Sequence, residues 1–315
     1  MPMDMEAALA EIVREGRAPD LHGVVVTRGR DLIFEYYGEG PDVAWNAPLG
    51  TVTFGPDTLH DLRSVTKSVV GLLYGMALEG GHVPDPAEPL YACFPEYPDL
   101  AGRTGLTVGH ALTMTLGLEW DESVPYTSPA NSEIAMETAP DRYRYVLERP
   151  SVEEPGTTWR YCGGASTLLG GLIARGTGVP LEEFARTALF EPLGITAFEW
   201  ARGGDGVAAA ASGLRLTPRD LAGIGRYVLE SDSPWISRML TPYVAIGEGL
   251  DYGYQWFLGP GWVAGVGNGG QRLYVRSDLG LVVVVTSGRY NLPDAQETPV
   301  FVIEEVVLPA LLPGG

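Results

Sequence analysis

Lysine is nearly absent from this chain. Among 315 residues there is one, Lys67, and the other 20 basic residues are arginine. Arginine serves as well for surface charge, but it cannot give up its proton near neutral pH, whereas a buried lysine can. A single lysine in an arginine-using chain points to chemistry at position 67. Cysteine is also scarce, and Cys93 and Cys162 make no disulfide framework. The four histidines, His22, His60, His82 and His110, lie far apart and show no metal-ligand spacing. Positive charge is short overall. The 21 Lys and Arg stand against 40 Asp and Glu, a net charge of −19 that disfavours nucleic acid and anionic membrane surfaces as partners. The apolar run Val282 to Val285 falls far below the ~20 residues needed to span a bilayer. The opening Met1-Pro2-Met3-Asp4-Met5-Glu6 has neither the basic nor the apolar region of a signal peptide, so the expected location is cytoplasmic.

The chain has ample material for a core, and its 42 glycines and 25 prolines suit a compact fold with many tight turns. Residues 5–17 read as an amphipathic helix. Leu21 to Thr27 and Leu32 to Tyr37 alternate around Arg28-Gly29-Arg30-Asp31 and read as a hairpin. Residues 38–60 read as a Gly/Pro-rich loop. Helical patterns with long loops dominate from about 82 to 200. Thr107 caps one helix, 141–148 forms another, Ser166 opens 167–175, and 180–190 follows. Thr217-Pro218-Arg219-Asp220 combines a cap, a proline at the first helical position and an acid in the first turn. Strands return at 252–258, 262–266, 271–276 and 281–286, and an apolar helix closes the chain at 297–311. Strands at both ends with helices between predict a mainly antiparallel sheet built from both termini, with an inserted helical domain and the site where the two meet.

Three stretches can carry chemistry. In Leu62-Arg63-Ser64-Val65-Thr66-Lys67-Ser68, Ser64 opens an apolar helix, and Lys67, three residues on, shares its face. The helix start favours negative charge on the serine oxygen, and a desolvated lysine can accept its proton. In Trp159-Arg160-Tyr161-Cys162-Gly163-Gly164, Tyr161 reads alone as one packing tyrosine among 15; beside a lysine it becomes a candidate general base and acid. In Gly265-Val266-Gly267-Asn268-Gly269-Gly270-Gln271, the glycines read either as a simple turn or as a strand edge that approaches a ligand. In the second case a backbone N–H joins that of Ser64 as an oxyanion hole.

The ordered triple, with the text between its members, resembles the class C β-lactamase-like serine hydrolases. That family includes class C β-lactamases, D,D-peptidases, certain esterases and the 6-aminohexanoate-dimer hydrolases, and the last, with the esterase-like branch, is the nearest in flavour. The likeness runs from about 22 to 288. It implies an α+β, D,D-peptidase-type fold, with an α/β domain from 1–80 and 205–315 and a mostly helical domain from 81–204. By position, Ser64 matches the acylated nucleophile, Lys67 its base partner, Tyr161 the tyrosine of Tyr-x-Asn, Asn268-Gly269-Gly270 the Lys-Thr-Gly triad, and Gln271 the residue whose N–H completes the oxyanion hole. Two departures bear on substrate. Gly163 stands in place of the motif's asparagine, and Asn268 in place of its lysine. Both replaced groups recognise a β-lactam, so the resemblance implies an esterase or amidase on small molecules, with no metal or organic cofactor. A β-lactamase or D,D-peptidase, and a catalytically silent binding module, are the competing readings. Pocket walls are expected from Glu119 to Asn131, with Tyr126 a candidate substrate contact, and from the region of Trp200 and Trp256.

Overall fold

The structure, a computed structural model, describes residues 4–45 and 47–312. Its frame is an eight-stranded, wholly antiparallel sheet. The strands are β1 (Leu21–Arg28), β2 (Asp31–Tyr37), β8 (Val244–Gly247), β9 (Leu250–Tyr252), β10 (Phe257–Gly259), β11 (Trp262–Gly267), β12 (Gln271–Arg276) and β13 (Leu281–Ser287), the intervening numbers belonging to two small sheets. The order across the sheet is β2-β1-β13-β12-β11-β10-β9-β8. The N-terminal β1 and C-terminal β13 meet beside its β2 edge, where Val24 pairs with Val285 and Val26 with Val283.

Both faces of this strand pair are covered, which explains the unbroken run of valines in β13. Val24, Val26, Val283 and Val285 pack against α1 (Met5–Arg14) and the C-terminal helical segment that begins at Glu297. Val25, Val282 and Val284 face the larger core, built on α2 (Val65–Glu79), α6 (Gly163–Thr177) and α8 (Pro218–Glu230). A strand buried on both sides loses the alternation that marks a half-exposed one. Between the two ends of the sheet, residues 91–193 contribute short helices and long loops, among them α3 (Val108–Leu112), α4 (Ser132–Glu137), α5 (Arg142–Leu147) and α7 (Leu181–Ala185). Among the described residues, no helix is long and apolar enough to cross a membrane.

Three expectations are corrected. Residues 38–60 are not one loop: β3 (Glu39–Ala44) and β4 (Ala47–Thr53) form a two-stranded sheet, and β5 (His60–Asp61) joins β6 (Glu199–Trp200) and β7 (Leu214–Leu216) in a third. Pro41 and Pro48 are tolerated because a two-stranded ribbon consists only of edges. The run 252–258 is broken between Tyr252 and Phe257, where Gln255 takes φ = 66°. The helix expected at 167 starts at Gly163.

Helix α2 is buried on nearly every side, and small residues let neighbours close on it. A Cβ on Gly75 would come 1.8 Å from Trp235 Cδ1, and the Trp235 indole N–H donates to the Gly71 carbonyl at 3.0 Å. Gly75→Ala gains about 1 kcal/mol of helix propensity. It must also displace a buried indole, and such overpacking costs about 1–3 kcal/mol or more. Urea unfolding should therefore show a net loss of stability; an unchanged midpoint would show that Trp235 has room to move.

Candidate active site

Ser64 stands at the N-cap of α2 with a backbone near the helical region, φ = −69° and ψ = −6°. The residue before it, Arg63, is held in the left-handed region at φ = 48°, which an L-residue adopts only under constraint. Asp61 supplies the constraint. Its carboxylate accepts the Arg63 N–H at 3.0 Å and the Trp45 N–H at 2.6 Å. The Arg63 guanidinium lies 4.8 Å from the Tyr290 ring centre.

Beneath this turn lies a buried polar group, His22, Asp42 and His60, with donor atoms all within 4.8 Å of one another. Among the described residues it is the one cluster arranged closely enough to hold a metal ion. The two histidines, distant in sequence, are hydrogen bonded at 2.9 Å. His60 Nδ1–H donates to the Asp61 carbonyl at 3.0 Å, so its Nε2 accepts from His22. Burial pushes both rings down, His22 to about 4 and His60 to about 3, so both are neutral at pH 7. Tyr290 Oη–H completes the group by donating to Asp42 at 2.8 Å. Three of the four ring nitrogens are thus engaged, with one another and with the backbone carbonyl of Asp61, while His22 Nε2 is buried without a hydrogen-bond partner; the cluster lies under the turn that presents Ser64.

One helical turn on, the ammonium of Lys67 is 1% exposed and spends its three N–H bonds on three acceptors: Ser64 Oγ at 3.0 Å, Glu133 Oε2 at 3.2 Å and the Ala211 carbonyl at 2.9 Å. Tyr161, half-buried, completes the group. Its ring centre lies 4.9 Å from Lys67 Nζ, and Ser64 is near enough to its hydroxyl to act on its ionisation. Phe257 stacks on the other side, with ring centres 6.4 Å apart. The structure thus brings Ser64, Lys67 and Tyr161 together.

The charge state differs from the expectation. Burial pulls the Lys67 pKa down, but the neighbouring charges of Glu133, Tyr161 and Glu122 and the hydrogen bond to Glu133 outweigh it, and the amine is held as ammonium. Burial raises the Tyr161 phenol above its ordinary range, with Lys67 opposing it, so the phenol keeps its proton at rest.

Two carboxylates missed in the sequence surround this pair. Glu133 is 4% exposed on the first turn of α4, whose N-cap Asn131 accepts the Glu133 N–H at 3.0 Å. Glu122 accepts the Gly163 N–H and the Trp120 indole N–H, both at 2.6 Å, and the Tyr126 hydroxyl at 2.7 Å. Burial and the charge of Glu133 raise it to about 7 against the pull of Lys67. Asn131-Ser132-Glu133 carries a readable signal, a cap followed by an acid in the first turn, but nothing local ties it to Lys67.

Gly163, in the position of the missing asparagine, has its side-chain space filled. A Cβ there would lie 2.2 Å from Glu133 Oε2. Tyr126 lines a cavity of about 360 Å³ together with Trp45, Arg63, Glu133, Glu137 and Ser212. Trp256 is fully buried, its indole N–H donating to the Ser68 carbonyl, so it belongs to the core rather than to a pocket wall. Trp200 donates to the Ala209 carbonyl.

In the hairpin between β11 and β12 the side chains bond within the fold. Asn268 bonds Asn291 through both side-chain ends, at 2.7 and 2.8 Å. Gly269 abuts the Tyr290 ring, which lies behind Arg63, and Gly270 abuts Ala295 and Ser287. The Gln271 side chain is wholly buried and turned toward β13, bonding Ser287 N and O. The glycines that let a strand close on the start of α2 lie on β11. A Cβ on Gly265 would come 2.9 Å from Ser68 Oγ, and one on Gly267 2.6 Å from the Leu62 carbonyl.

Known proteins carry the same architecture. The chain is 27% identical over 310 residues to the 6-aminohexanoate-dimer hydrolase of Paenarthrobacter ureafaciens, across 84% of this chain and 71% of that protein. Among solved structures, EstCE1, a hydrolase with promiscuous acyltransferase activity, superimposes with a TM-score of 0.74 at 16% identity, over 96% of this chain and 97% of that one. The octameric penicillin-binding protein homologue of Pyrococcus abyssi does so with a TM-score of 0.71 at 20% identity, over 96% and 78%. At such identities the structural likeness speaks for the fold. The β-lactamase family profile matches residues 5–306, nearly the whole described chain, and this protein belongs to that family.

Proposed function

We propose that this protein is a serine hydrolase that cleaves small carboxylic esters or amides through an acyl-enzyme on Ser64. The observation that carries the reading is the buried contact of Lys67 Nζ with Ser64 Oγ at 3.0 Å at the start of α2, with the Tyr161 ring against the same ammonium. Ser64 attacks the carbonyl and releases its proton to the Lys67–Tyr161 side. The oxyanion is received by the Ser64 N–H, one of the donors a helix start leaves without an internal partner. The second donor is a backbone N–H at the β11–β12 hairpin, where Gln271 holds the place that the resemblance assigns to it. Tyr161 protonates the leaving group, and water then releases the acyl group by the same path. The cavity beside Glu133 and Tyr126 suits a small acyl or leaving group.

Esters are favoured over β-lactams. Neither Asn268 nor Gly163 offers the side chain that would hold a β-lactam, the first engaged by Asn291 and the second replaced in space by Glu133. The arginines near the hairpin are also committed, Arg272 to Gln296 and Arg289 to Asp20 and Asp294. A lost charge-assisted contact is worth about 1.5–3 kcal/mol, or roughly one to two decades of transition-state binding. On one preparation, kcat/KM for p-nitrophenyl butyrate should exceed that for nitrocefin by at least about tenfold. Equal or better turnover of nitrocefin would replace the esterase reading with that of a β-lactamase.

A further inference from the structure

At rest the nucleophile has no free base beside it. Lys67 has no lone pair to offer, because all three N–H bonds and its positive charge are in use, and Tyr161 keeps its proton. The basic group that touches this pair is Glu133, whose Oε2 lies 3.2 Å from Lys67 Nζ. It is there because Gly163 has no side chain: an ideal Cβ at 163 would lie 2.2 Å from Glu133 Oε2 and 2.8 Å from its Cδ. Asn131 fixes the helix start that carries it, and its own side chain is anchored by a 2.8 Å bond from Nδ2 to the Val124 carbonyl. Carboxylate and glycine are therefore an interlocked exchange for the amide of the Tyr-x-Asn pattern.

We propose that Glu133 is the positioning residue of Lys67 and the resting place of the serine proton, acting through the lysine. The inference rests on the acyl-enzyme reading above. As Ser64 attacks, its O–H bond breaks and that proton forms a new N–H bond on Lys67. For this the Lys67 N–H that points to Glu133 breaks first, its proton goes to the carboxylate, and the amine turns the lone pair so freed toward Ser64. The O–H electron pair becomes the new C–O bond, and the carbonyl π pair moves to the oxyanion. Lys67 ends the step with the charge it began with, and one negative charge passes from Glu133 to the oxyanion. On collapse the C=O bond re-forms and the bond to the leaving group breaks. The departing alkoxide takes the Tyr161 proton, Tyr161 is reprotonated from Lys67, and Lys67 takes back the proton held by Glu133.

The charged and titratable groups that face Glu133 are Lys67 from α2, Glu122 and Tyr126 from the preceding loop, Tyr161 from the loop before α6, and Glu137 from its own helix. With Glu133 ionised, the Lys67–Glu133 pair is ready; protonation of the carboxylate disables it. The acid limb of kcat/KM in the wild type therefore lies below the range in which a lysine ammonium loses its proton. In Glu133→Gln the amide cannot take the proton, and Lys67 must lose its own before it can act. The limb then moves into the ammonium range, above about pH 8.

The test is the pH profile of p-nitrophenyl butyrate hydrolysis for the wild type, Glu133→Gln, Glu133→Asp and Gly163→Ala. Glu133→Gln should lose on the order of 10²-fold in kcat at pH 7 with KM within a few-fold, and regain most of that loss by about pH 10. Glu133→Asp should keep the wild-type limb at reduced rate, and Gly163→Ala should resemble Glu133→Gln because the added Cβ displaces the carboxylate. The wild-type profile stands even if a variant fails to fold: an acid limb above about pH 9 would make Lys67 its own proton source and overturn the inference. So would a Glu133→Gln enzyme with an unshifted limb. A wild type that is not labelled by a fluorophosphonate overturns the acyl-enzyme reading, and this inference with it; labelling with an unshifted Glu133→Gln limb overturns this inference alone.

Discussion

Ser64→Ala is expected to abolish ester hydrolysis, with kcat falling roughly 10⁴–10⁶-fold, the scale seen when the attacking group of a serine hydrolase is removed. The expectation rests on placement. Ser64 is the hydroxyl that Lys67 contacts at 3.0 Å, Tyr161 lies against the same ammonium, and Ser64 follows Arg63, which is held at φ = 48° with its N–H bonded to the Asp61 carboxylate. Loss of one hydroxyl from a cap that makes no side-chain capping bond should leave the fold intact. Thermal unfolding of the variant should match the wild type, and a fluorophosphonate probe should label only the latter. Retained turnover with p-nitrophenyl butyrate would place the nucleophile elsewhere.

The second large effect is at Lys67. Arginine at this position should be about as inactive as alanine, each losing on the order of 10²–10⁴-fold. Both cations carry charge, but the serine proton can move only through a group that exchanges protons near neutral pH, and guanidinium does not. Geometry adds to chemistry, because the ammonium is enclosed by Ser64 Oγ, Glu133 Oε2 and the Ala211 carbonyl, and leaves no room for a planar fork. Removing the cation in Lys67→Ala also leaves the Glu133 carboxylate buried without its partner, so that variant should unfold at a lower temperature. The measurement is kcat/KM for both variants beside a thermal melt. An arginine variant within about tenfold of wild type would mean that position 67 acts through fixed charge alone.

How much of this was legible in the sequence follows from how local each signal is. Ser64 and Lys67 lie three residues apart at a helix start, so their contact follows from helix geometry. The strands from Trp262 to Ser287 were readable because their β-branched runs are separated by clear turns. The β3–β4 ribbon was not readable, because Gly40, Pro41, Pro48 and Gly50 carry loop chemistry and the pairing is exposed. The family resemblance located Tyr161 but misjudged its charge state, since burial and Glu122, invisible locally, oppose its ionisation. Glu133 lies 66 residues from Lys67, and its place depends on the side chain that Gly163 lacks. The side-chain partners of Asn268 and Gln271, on Asn291 and Ser287, were not readable for a related reason. Motif position fixes which hairpin is involved, while the register between β11 and β12 decides which of its residues faces α2.

The central claim is that acyl transfer runs through Ser64 in the Ser64–Lys67–Tyr161 group, and the most direct measurement is the intact mass of enzyme quenched during turnover of a slowly released p-nitrophenyl ester. A gain of one acyl group, mapped by peptide analysis to Ser64 and missing from Ser64→Ala, is the predicted result. An adduct on a different residue, or full turnover in Ser64→Ala, would contradict it.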